Sequence, residues 1–329
     1  MSNKKQAKTT AQKIGIVVFA TIMVVALVFL FAELRKRDKA EFTGSTEVIN
    51  EVMSHNGNEY KLKENIETVL LLGLDKYDNE DTGYNNDRQA DFMLLLVVDN
   101  NAKTTKAIHV NRDSMAEMNV LGVAGDKIGT VTKQIALSHT YGNGREVSCR
   151  NAANAVSGLL MGVEIDHYVS VTMEAVPVYN DFVGGVTVEV LDDFTGIDDA
   201  LKKGKKVTLK GEQALTYVRS RYGLDDPTNN HRMIRQKQYL EALYEKSLKL
   251  KNADETFIQN AGLKLTDYIV SDCSVNRLES ILEKVSGYEF EGILNIEGET
   301  KEGERFMEFY PDENSVKDIV IDCFYEIKD

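Results

Sequence analysis

Long runs of consecutive apolar residues mark the central part of the chain. Glu67–Leu74 (ETVLLLGL) and Phe92–Val98 (FMLLLVV) are nearly continuous apolar stretches with the length of strands. Runs of this kind are typical of central strands that are buried on both faces of an α/β sheet. Thr105–Val110 (TKAIHV) alternates instead, and Asn100–Lys103 before it has turn chemistry. We therefore expect the second run and this segment to form a β-hairpin.

Helical and strand patterns alternate after this hairpin. Small and apolar residues over Asn151–Met161 predict a helix that ends at Gly162. A longer helix is predicted from about Asn230 to Leu250. Other predicted elements are strands over Tyr168–Met173 and Val186–Val190, helices over Glu174–Val183 and Gly211–Val218, and mixed signals over 262–329. No stretch rich in Pro, Gly or Ser interrupts residues 65–329, so the pattern predicts one large α/β domain.

An uncharged stretch near the N-terminus has the length of a membrane span. Residues 14–32 (IGIVVFATIMVVALVFLFA) contain no charge and would extend about 28 Å as a helix. No small-x-small cleavage site follows, so we predict a retained single-pass anchor in the cell membrane. Basic residues are balanced, with four on each side, and do not orient the span. The short tail, 1–13, favours a cytoplasmic N-terminus, with a stalk over 33–62 and an extracellular domain over 63–329.

The charge of the chain is unevenly distributed. The 329 residues carry a net charge of −13, whereas the first 39 contain eight Lys or Arg and two Asp or Glu. The remaining residues therefore have a net charge of −19. Binding of nucleic acid depends on the neutralisation of phosphates by Lys and Arg, so this charge argues against nucleic acid as a partner. A content of 43% hydrophobic residues with three Pro also excludes a disordered or collagenous chain.

The cysteine content is low. Cys149, Cys273 and Cys323 are too few for a disulfide framework and do not have the spacing of zinc ligands. Cys273 and Cys323 could pair, which would leave Cys149 as a thiol. Burial of all three as small hydrophobic residues is the preferred interpretation.

Arginine is concentrated in one segment of this acidic domain. Arg219, Arg221, Arg232 and Arg235 lie within seventeen residues and are followed by Gln236. In an extended segment Arg219 and Arg221 would share one face, and Arg232 and Arg235 have helical spacing. Guanidinium groups match phosphate oxygens in geometry, so this cluster is a candidate phosphate-binding site. Surface ion pairs with neighbouring acidic residues are the alternative interpretation.

Two aspartates lie at the ends of the predicted strands. Asp75 follows the first apolar run, and Asp91 precedes the second. Antiparallel neighbouring strands would bring both carboxylates to the same edge of the sheet, where α/β proteins often bind ligands. Hard oxygen ligands together with phosphate are what Mg²⁺ prefers, whereas turn capping is the alternative role. Arg112 and Asp113 follow the hairpin and form a third candidate group.

Seven sequence segments occur in a characteristic order between about residues 65 and 245. They are VLLLGLD (69–75), ADFMLLLVVD (90–99), VNRDSM (110–115), LSHTYGNG (137–144), the stretch 165–190 with GGVTVEV at its end, LKGEQALTYVRSRY (209–222) and HRMIRQKQYLEAL (231–243). The GGVTV and KGEQALTYVRSR segments and the later RxxRQ pattern are long and specific. Together the segments resemble the LytR-CpsA-Psr family of membrane-anchored cell-wall enzymes.

The resemblance implies a phosphotransferase. Such proteins take a glycopolymer from a polyprenyl-pyrophosphate carrier and attach it to peptidoglycan through a phosphodiester. The resemblance also implies an α/β/α sandwich with a central mixed β-sheet, and Mg²⁺, with Mn²⁺ as an alternative. It implies Asp75 and Asp91 as metal ligands. It implies pyrophosphate binding by Arg112, Arg219, Arg221, Arg232 and Gln236, and we add Arg88 and Arg235 as candidates from the same segments. The predicted catalytic residues are Arg112, Arg219, Arg221, Arg232 and Asp113.

Several positions depart from the family pattern, among them the run 136–139 (ALSH), which stands where the family usually has Lys-Ile-Asn-His. Gln89 stands where the family usually has Arg, with Arg88 one position earlier, and Asn111 stands in place of Pro. Asn229 replaces an acidic residue three positions before Arg232, which makes Asp113 an alternative general base. Two other functions remain open: a lipid-pyrophosphate phosphatase, in which water attacks, and a non-catalytic extracellular module that binds or senses glycopolymer or lipid. The alternatives for the glycopolymer are teichoic acid, capsule or another secondary polymer.

Overall fold

The chain divides into two compact units, a sheet unit and a helical unit. The computed structural model describes residues 51–74, 89–221, 223–224, 229–254, 256–273, 277, 280–281, 284–285, 287–304 and 306–328. The described residues of the sheet unit lie in Lys36–Val171, Val270–Ser274 and Glu283–Asp329, and those of the helical unit lie in Thr172–Ile269 and Val275–Leu282. The predicted tail and anchor, and the stalk as far as residue 50, lie outside these ranges. Within the described ranges, no helix combines the length and apolar character that a membrane span requires.

Strands and helices alternate along both units. The chain begins with β1 (Val52–His55), β2 (Asn58–Leu62), β3 (Ile66–Leu74), β4 (Ala90–Asp99), β5 (Thr104–Val110), β6 (Met115–Leu121), β7 (Lys127–Gln134), α1 (Glu146–Leu159) and β8 (His167–Thr172). It continues with α2 (Ala175–Phe182), β9 (Val186–Glu189), β10 (Lys206–Leu209), α3 (Glu212–Arg219), α4 (Asn229–Ala253) and α5 (Phe257–Leu265). It ends with β11 (Ile269–Ser271), β12 (Glu289–Asn295), β13 (Gly298–Glu302), β14 (Met307–Pro311), α6 (Glu313–Phe324) and β15 (Tyr325–Ile327).

A six-stranded mixed sheet with the order β11-β8-β3-β4-β5-β12 organises the sheet unit. β4 pairs in antiparallel fashion with β3 and with β5, whereas β12 and β5 are parallel. β3 and β4 lie at the centre, and long runs of their consecutive side chains are buried. Alternate residues of a strand point to opposite faces, so both faces of these strands are covered. The interpretation of the two apolar runs as central strands, and of the hairpin after them, is confirmed.

One hydrophobic cluster joins the central sheet to two helices. It includes Leu72 of β3, Ala152 and Val156 of α1, and Val316 and Val320 of α6. Small side chains on the buried face of α1 allow the helix to lie close to its neighbours. Burial of one large aliphatic side chain stabilises the fold by about 1.5–3 kcal/mol.

Helix α1 ends as the sequence pattern predicted. Gly162 has a φ of 83° and donates its N–H to the carbonyl oxygen of Ser157 at 2.8 Å. This bond, with Met161 before it in the left-handed conformation (φ 61°), forms a Schellman cap, in which Met161 takes the position that usually favours Gly. The helix begins at Glu146, earlier than predicted. The predicted strands β8 and β9 and the predicted helices α2, α3 and α4 are also confirmed, within a few residues at their ends.

A separate three-stranded sheet joins the two ends of the described chain. β2 pairs in antiparallel fashion with β1 and with β15. Residues 52–62 were predicted to belong to the stalk, but they form this hairpin and are part of the folded sheet unit. The hydrophobic pattern did not indicate these strands because most residues of β1 and β2 are exposed or half-buried, and Met53 alone among them is buried.

The β9–β10 hairpin of the helical unit depends on one asparagine and one glycine. The side chain of Asn180 accepts the N–H of Val186 at 3.1 Å and donates to the carbonyl oxygen of Leu209 at 3.0 Å. Gly185 has a φ of 84°, and a Cβ atom there would lie 2.7 Å from the same carbonyl oxygen. Only Gly fits both constraints, which explains why a Gly-Gly pair precedes β9.

All three cysteines are buried, as the preferred interpretation predicted. None of them is in a disulfide. Burial raises the pKa of the Cys149 thiol to about 12, and it raises the pKa of Cys323 to about 12 as well. Because the thiolate is the reactive form, these two thiols are unreactive at neutral pH.

Candidate functional site

Arg112 lies two residues after the end of β5 and is bound by two side chains at the start of β4. Met93 pairs with Val110 in the antiparallel ladder, so Asp91 and Arg112 each lie two residues beyond this pair and face each other. The Arg112 guanidinium donates to Oδ1 of Asp91 and, at 2.5 Å, to Oε1 of Gln89. The side chains of Arg112 and Asp91 keep 15% and 13% of their surface exposed. The cluster is therefore largely desolvated but reaches solvent.

Asp113 is held beside Arg112 by a turn and by β7. The side chain of Asn111 accepts the N–H of Asp113 at 3.0 Å, which forms an Asx turn. Gln134 donates one N–H to Oδ1 of Asp113 at 3.0 Å, and Nε of Arg112 lies 3.4 Å from the same oxygen. The backbone carbonyl of Asp113 also accepts the N–H of Phe309 at 2.9 Å. The sequence places Asn where the family usually has Pro, and its side chain fixes the turn by a hydrogen bond.

Two of the predicted site residues, Asp75 and Arg88, lie outside the described residues. The described residues define the register of the two central strands up to this edge, because Leu74 at the end of β3 pairs with Ala90. Asp91 therefore lies next to the residue that faces the end of β3. Within the part of the chain that the structure describes, no three His, Cys, Asp or Glu side chains come together as a metal-binding group.

In the helical unit, Arg219 and Arg221 lie on either side of a helix end. Arg219 is the last residue of α3 and is exposed, and Arg221 is half-buried. Ser220 between them has a φ of −57° and a ψ of 139°, which directs the chain away from the helix. Arg219 and Arg221 therefore do not share one face of an extended segment, as the sequence pattern predicted, because Arg219 belongs to the helix.

Arg235 is fully buried, and the structure corrects its assignment as a pyrophosphate ligand. Its guanidinium donates to the carbonyl oxygen of Tyr217 at 2.8 Å and to that of Ser220. Nε lies 3.0 Å from the buried carboxylate of Asp192. Burial lowers the pKa of Arg235, and the charge of Asp192 opposes this effect. A guanidinium with no exposed surface and three protein partners cannot also contact a phosphate.

Arg232 and Gln236 lie near Arg235 on the first turns of α4. Arg232 is buried, with 5% of its surface exposed. Gln236 is half-buried and donates to the carbonyl oxygen of Val218 at 3.2 Å. Arg235 and Gln236 therefore bind the helix end that Arg219 and Arg221 flank. Arg219 is the most exposed of the four arginines whose sequence spacing suggested phosphate binding.

The sequence did not predict that three polar residues, Gln89, Gln134 and Asp192, bind the candidate site residues. Gln89 was noted as a departure from the family pattern, but its bond to Arg112 had no sequence signal. Gln134 lies 21 residues from Asp113, which it contacts. Asp192 lies 43 residues before Arg235, and it is one acid among 52 in the chain. Contacts over such distances depend on tertiary structure, which spacing rules do not report.

The fold and these clusters define a mixed α/β protein with arginine and carboxylate side chains gathered at strand and helix ends. The sequence matches the model of the LytR_cpsA_psr family over residues 31–319. The chain therefore belongs to the LytR-CpsA-Psr family, as its sequence segments predicted.

Curated relatives of the chain include transferases. The polyisoprenyl-teichoic acid–peptidoglycan teichoic acid transferase TagU of Enterococcus faecalis is 29% identical over 217 residues, which are 65% of this chain and 64% of the relative. TagU of Bacillus licheniformis is 28% identical over 186 residues, 56% of this chain and 53% of the relative. Biofilm regulatory protein A of Streptococcus mutans is 29% identical over 198 residues, 57% and 46%. The match thus spans about half to two thirds of the length of these relatives.

Solved structures share the fold. Bacillus subtilis TagV superposes with a TM-score of 0.57 at 23% identity, and the match covers 79% of this chain and 96% of that one. A structure of TagT bound to LI-WTA gives a TM-score of 0.56 at 19% identity, with coverage of 79% and 90%. At these identities the likeness establishes the mixed α/β fold with its central mixed sheet.

Proposed function

We propose that this chain transfers a glycopolymer from a polyprenyl-pyrophosphate carrier to peptidoglycan through a phosphodiester bond. Membership of the family and the names of the transferases among its relatives support this proposal. The observation that carries it is the Arg112 cluster, in which a guanidinium, two carboxylates and an amide meet at the ends of β4 and β5. A fixed cation beside a carboxylate is what phosphoryl transfer to a hydroxyl requires.

The proposed reaction assigns different tasks to the arginines and to Asp113. The acceptor hydroxyl of peptidoglycan attacks the phosphorus atom bonded to the glycopolymer, and the bond from that phosphorus to the oxygen of the leaving polyprenyl phosphate breaks. Asp113 takes the proton of the hydroxyl, because its carboxylate is held in place by Gln134 and Arg112. Arg112, Arg219, Arg221 and Arg232 bind the pyrophosphate and stabilise charge on the leaving phosphate. Positioning and charge stabilisation supply most of the catalysis in phosphoryl transfer.

A divalent cation fits the chemistry of the carboxylates at the end of the central strands. We propose Mg²⁺, with Mn²⁺ as an alternative, and Asp75 and Asp91 as the residues that would hold it. The bond from Arg112 engages Oδ1 of Asp91, and carboxylate oxygens have further lone pairs for a hard cation. When bound, the ion would neutralise charge on the phosphate oxygens.

The proposed location is the cell membrane, with a cytoplasmic N-terminus and an extracellular catalytic part. The uncharged stretch 14–32 and the absence of a cleavage site after it support this proposal. An anchor in the same bilayer as the lipid carrier raises the effective concentration of substrate near the site.

The test is a reconstitution with the full chain in detergent. The protein is incubated with Mg²⁺, a polyprenyl-pyrophosphate-linked saccharide and peptidoglycan oligomers, and products are analysed by mass spectrometry. We expect a phosphodiester conjugate that is lost on addition of EDTA and in Arg112→Ala, but not in Lys133→Ala, which removes an exposed charge on β7. Free saccharide phosphate without conjugate would instead identify a phosphatase. Lipid that stays bound and intact would identify a binding module.

A further inference from the structure

A buried ion pair in the helical unit, Asp192–Arg235, has both side chains fully removed from solvent. The guanidinium of Arg235 also lies over the ring of Phe194, with 5.3 Å from its central carbon to the ring centroid. His231 brings Nδ1 to 3.1 Å from the same carboxylate. The carboxylate and the ring together fix the plane of the guanidinium, whose donors have a rigid fork geometry.

This fork is directed at the end of helix α3. It binds the carbonyl oxygens of Tyr217 and Ser220, while Gln236 binds that of Val218. The last carbonyl groups of a helix lack partners within the helix, and cations are favoured beside them. The main chain on both sides of Arg219 is therefore tied to α4 by side chains that cannot move freely.

Stability alone is a poor explanation for this pair. A buried ion pair loses most of its Coulombic gain to desolvation, and apolar residues of similar volume often replace such a pair without loss. What apolar residues cannot supply is the pair of directed hydrogen bonds from Arg235 to the carbonyl groups of Tyr217 and Ser220, which flank a functional arginine. The geometry that the pair imposes is its distinctive contribution.

We infer that Asp192 and Arg235 are positioning residues that hold Arg219 and Arg221 in the orientation required to bind phosphate groups. The inference rests on the proposed function, which assigns Arg219 and Arg221 to the pyrophosphate of the carrier. Arg235 acts through the main chain between these two arginines and does not contact the anion. Displacement of a binding group by as little as 1 Å can cost about 100-fold in rate, so a loosened helix end weakens binding measurably.

The first test measures anion affinity directly. Inorganic pyrophosphate and a short-chain polyprenyl phosphate are titrated by calorimetry into the full chain in detergent, and into Asp192→Asn. We expect the variant to keep the circular dichroism of the parent. We expect it to bind both probes about tenfold more weakly, which is less than the loss of about 100-fold that a displacement of 1 Å can cause. Lys237→Ala removes an exposed charge from the same helix and should bind as the parent does. Affinity of Asp192→Asn equal to that of the parent overturns the inference.

A second test separates positioning from a general weakening of the protein. Arg219→Lys with Arg221→Lys keeps both charges but removes the forks whose orientation the pair controls. In this background, Asp192→Asn should weaken binding by less than about twofold, because residues that act through one another are not additive. A further tenfold loss would contradict the inference, since Arg235 would then act independently of the two arginines.

The outcomes also separate this inference from the proposed function. If Arg219→Ala binds both probes like the parent, or the parent binds neither, the anion site itself is wrong and both proposals fail. If Arg219→Ala loses binding while Asp192→Asn does not, the positioning role alone is wrong. Should Asp192→Asn not fold, Phe194→Leu keeps a buried apolar side chain but removes the ring that lies beneath the guanidinium and stacks on Tyr217. This milder variant should bind about threefold more weakly if orientation matters, and unchanged affinity would overturn the role.

Discussion

Arginine residues that the sequence assigned to the same task have different tasks in this molecule. The groups that each arginine contacts determine its task. Among the described residues, the Arg112 guanidinium is bound by the side chains of Asp91 and Gln89, and it keeps part of its surface exposed, so it is available to a ligand. Arg235 is bound by two main-chain carbonyl groups and a buried carboxylate, so it is part of the framework. Gln89 also has a clear task, because it accepts a hydrogen bond that a second Arg at that position could not accept.

Arg112→Lys should lower the rate of glycopolymer transfer by about 100-fold, the usual cost of losing one group that stabilises the transition state. A lysine keeps the charge but cannot bind Asp91 and Gln89 as a planar fork does. The rate of conjugate formation in the reconstituted reaction measures the effect. Arg150→Lys is the matched control, because it removes a guanidinium bound to Asp272 elsewhere in the sheet unit. Equal rates for Arg112→Lys and Arg150→Lys would show that Arg112 has no special role.

The ends of helices and strands are the elements that hold the candidate site. Arg112 follows the end of β5, and Arg219 is the last residue of α3. Buried element interiors supply the rigid support, as in the central strands β3 and β4. The long apolar runs made these strands predictable. The hairpin β6–β7 was not predicted, because β7 has no fully buried residue and its pattern therefore carries no hydrophobic period.

Helix α6 should depend on its N-terminal cap. Asp312 precedes the helix, and its side chain accepts the N–H of Ser315 at 2.9 Å. Asp312→Ala removes this acceptor and should lower the free energy of unfolding by about 1 kcal/mol. Urea denaturation followed by circular dichroism measures the change. Asp312→Asn keeps an acceptor oxygen and should be close to the parent, so an equal loss in both variants would assign the effect to charge and not to the cap.

At the scale of the whole molecule, buried ionisable groups that are neutral at pH 7 occur in both units. Burial raises the pKa of Tyr179 and of Tyr217 in the helical unit to about 12. It raises the pKa of Cys149 and Cys323 in the sheet unit to about 12. In an unfolded chain, tyrosine and cysteine ionise near their ordinary pKa values, about 10 and about 8.5. Each unit therefore contains groups that resist ionisation only while it is folded.

The free energy of unfolding should fall steadily between about pH 9 and pH 12, and be insensitive to these groups below about pH 8. In this interval the unfolded chain binds fewer protons than the folded chain, so rising pH favours unfolding. Each group contributes at most about 1.4 kcal/mol per pH unit. Urea denaturation at several pH values measures the slope. Tyr217→Phe removes one such group, and a slope at least as steep as that of the parent would contradict its assigned contribution.

The amino-acid sequence by itself determined the central strands, the main helices, the uneven charge and the family. These features depend on local patterns, such as the continuous apolar run of Glu67–Leu74, and on motifs that are contiguous along the chain. Tertiary structure alone decided which of the clustered arginines is exposed. Arg219 and Arg235 belong to the same motif region, yet one is exposed and the other is fully buried. Burial depends on what packs against a residue, and Asp192, the partner of Arg235, is distant in sequence, so no local spacing could report it.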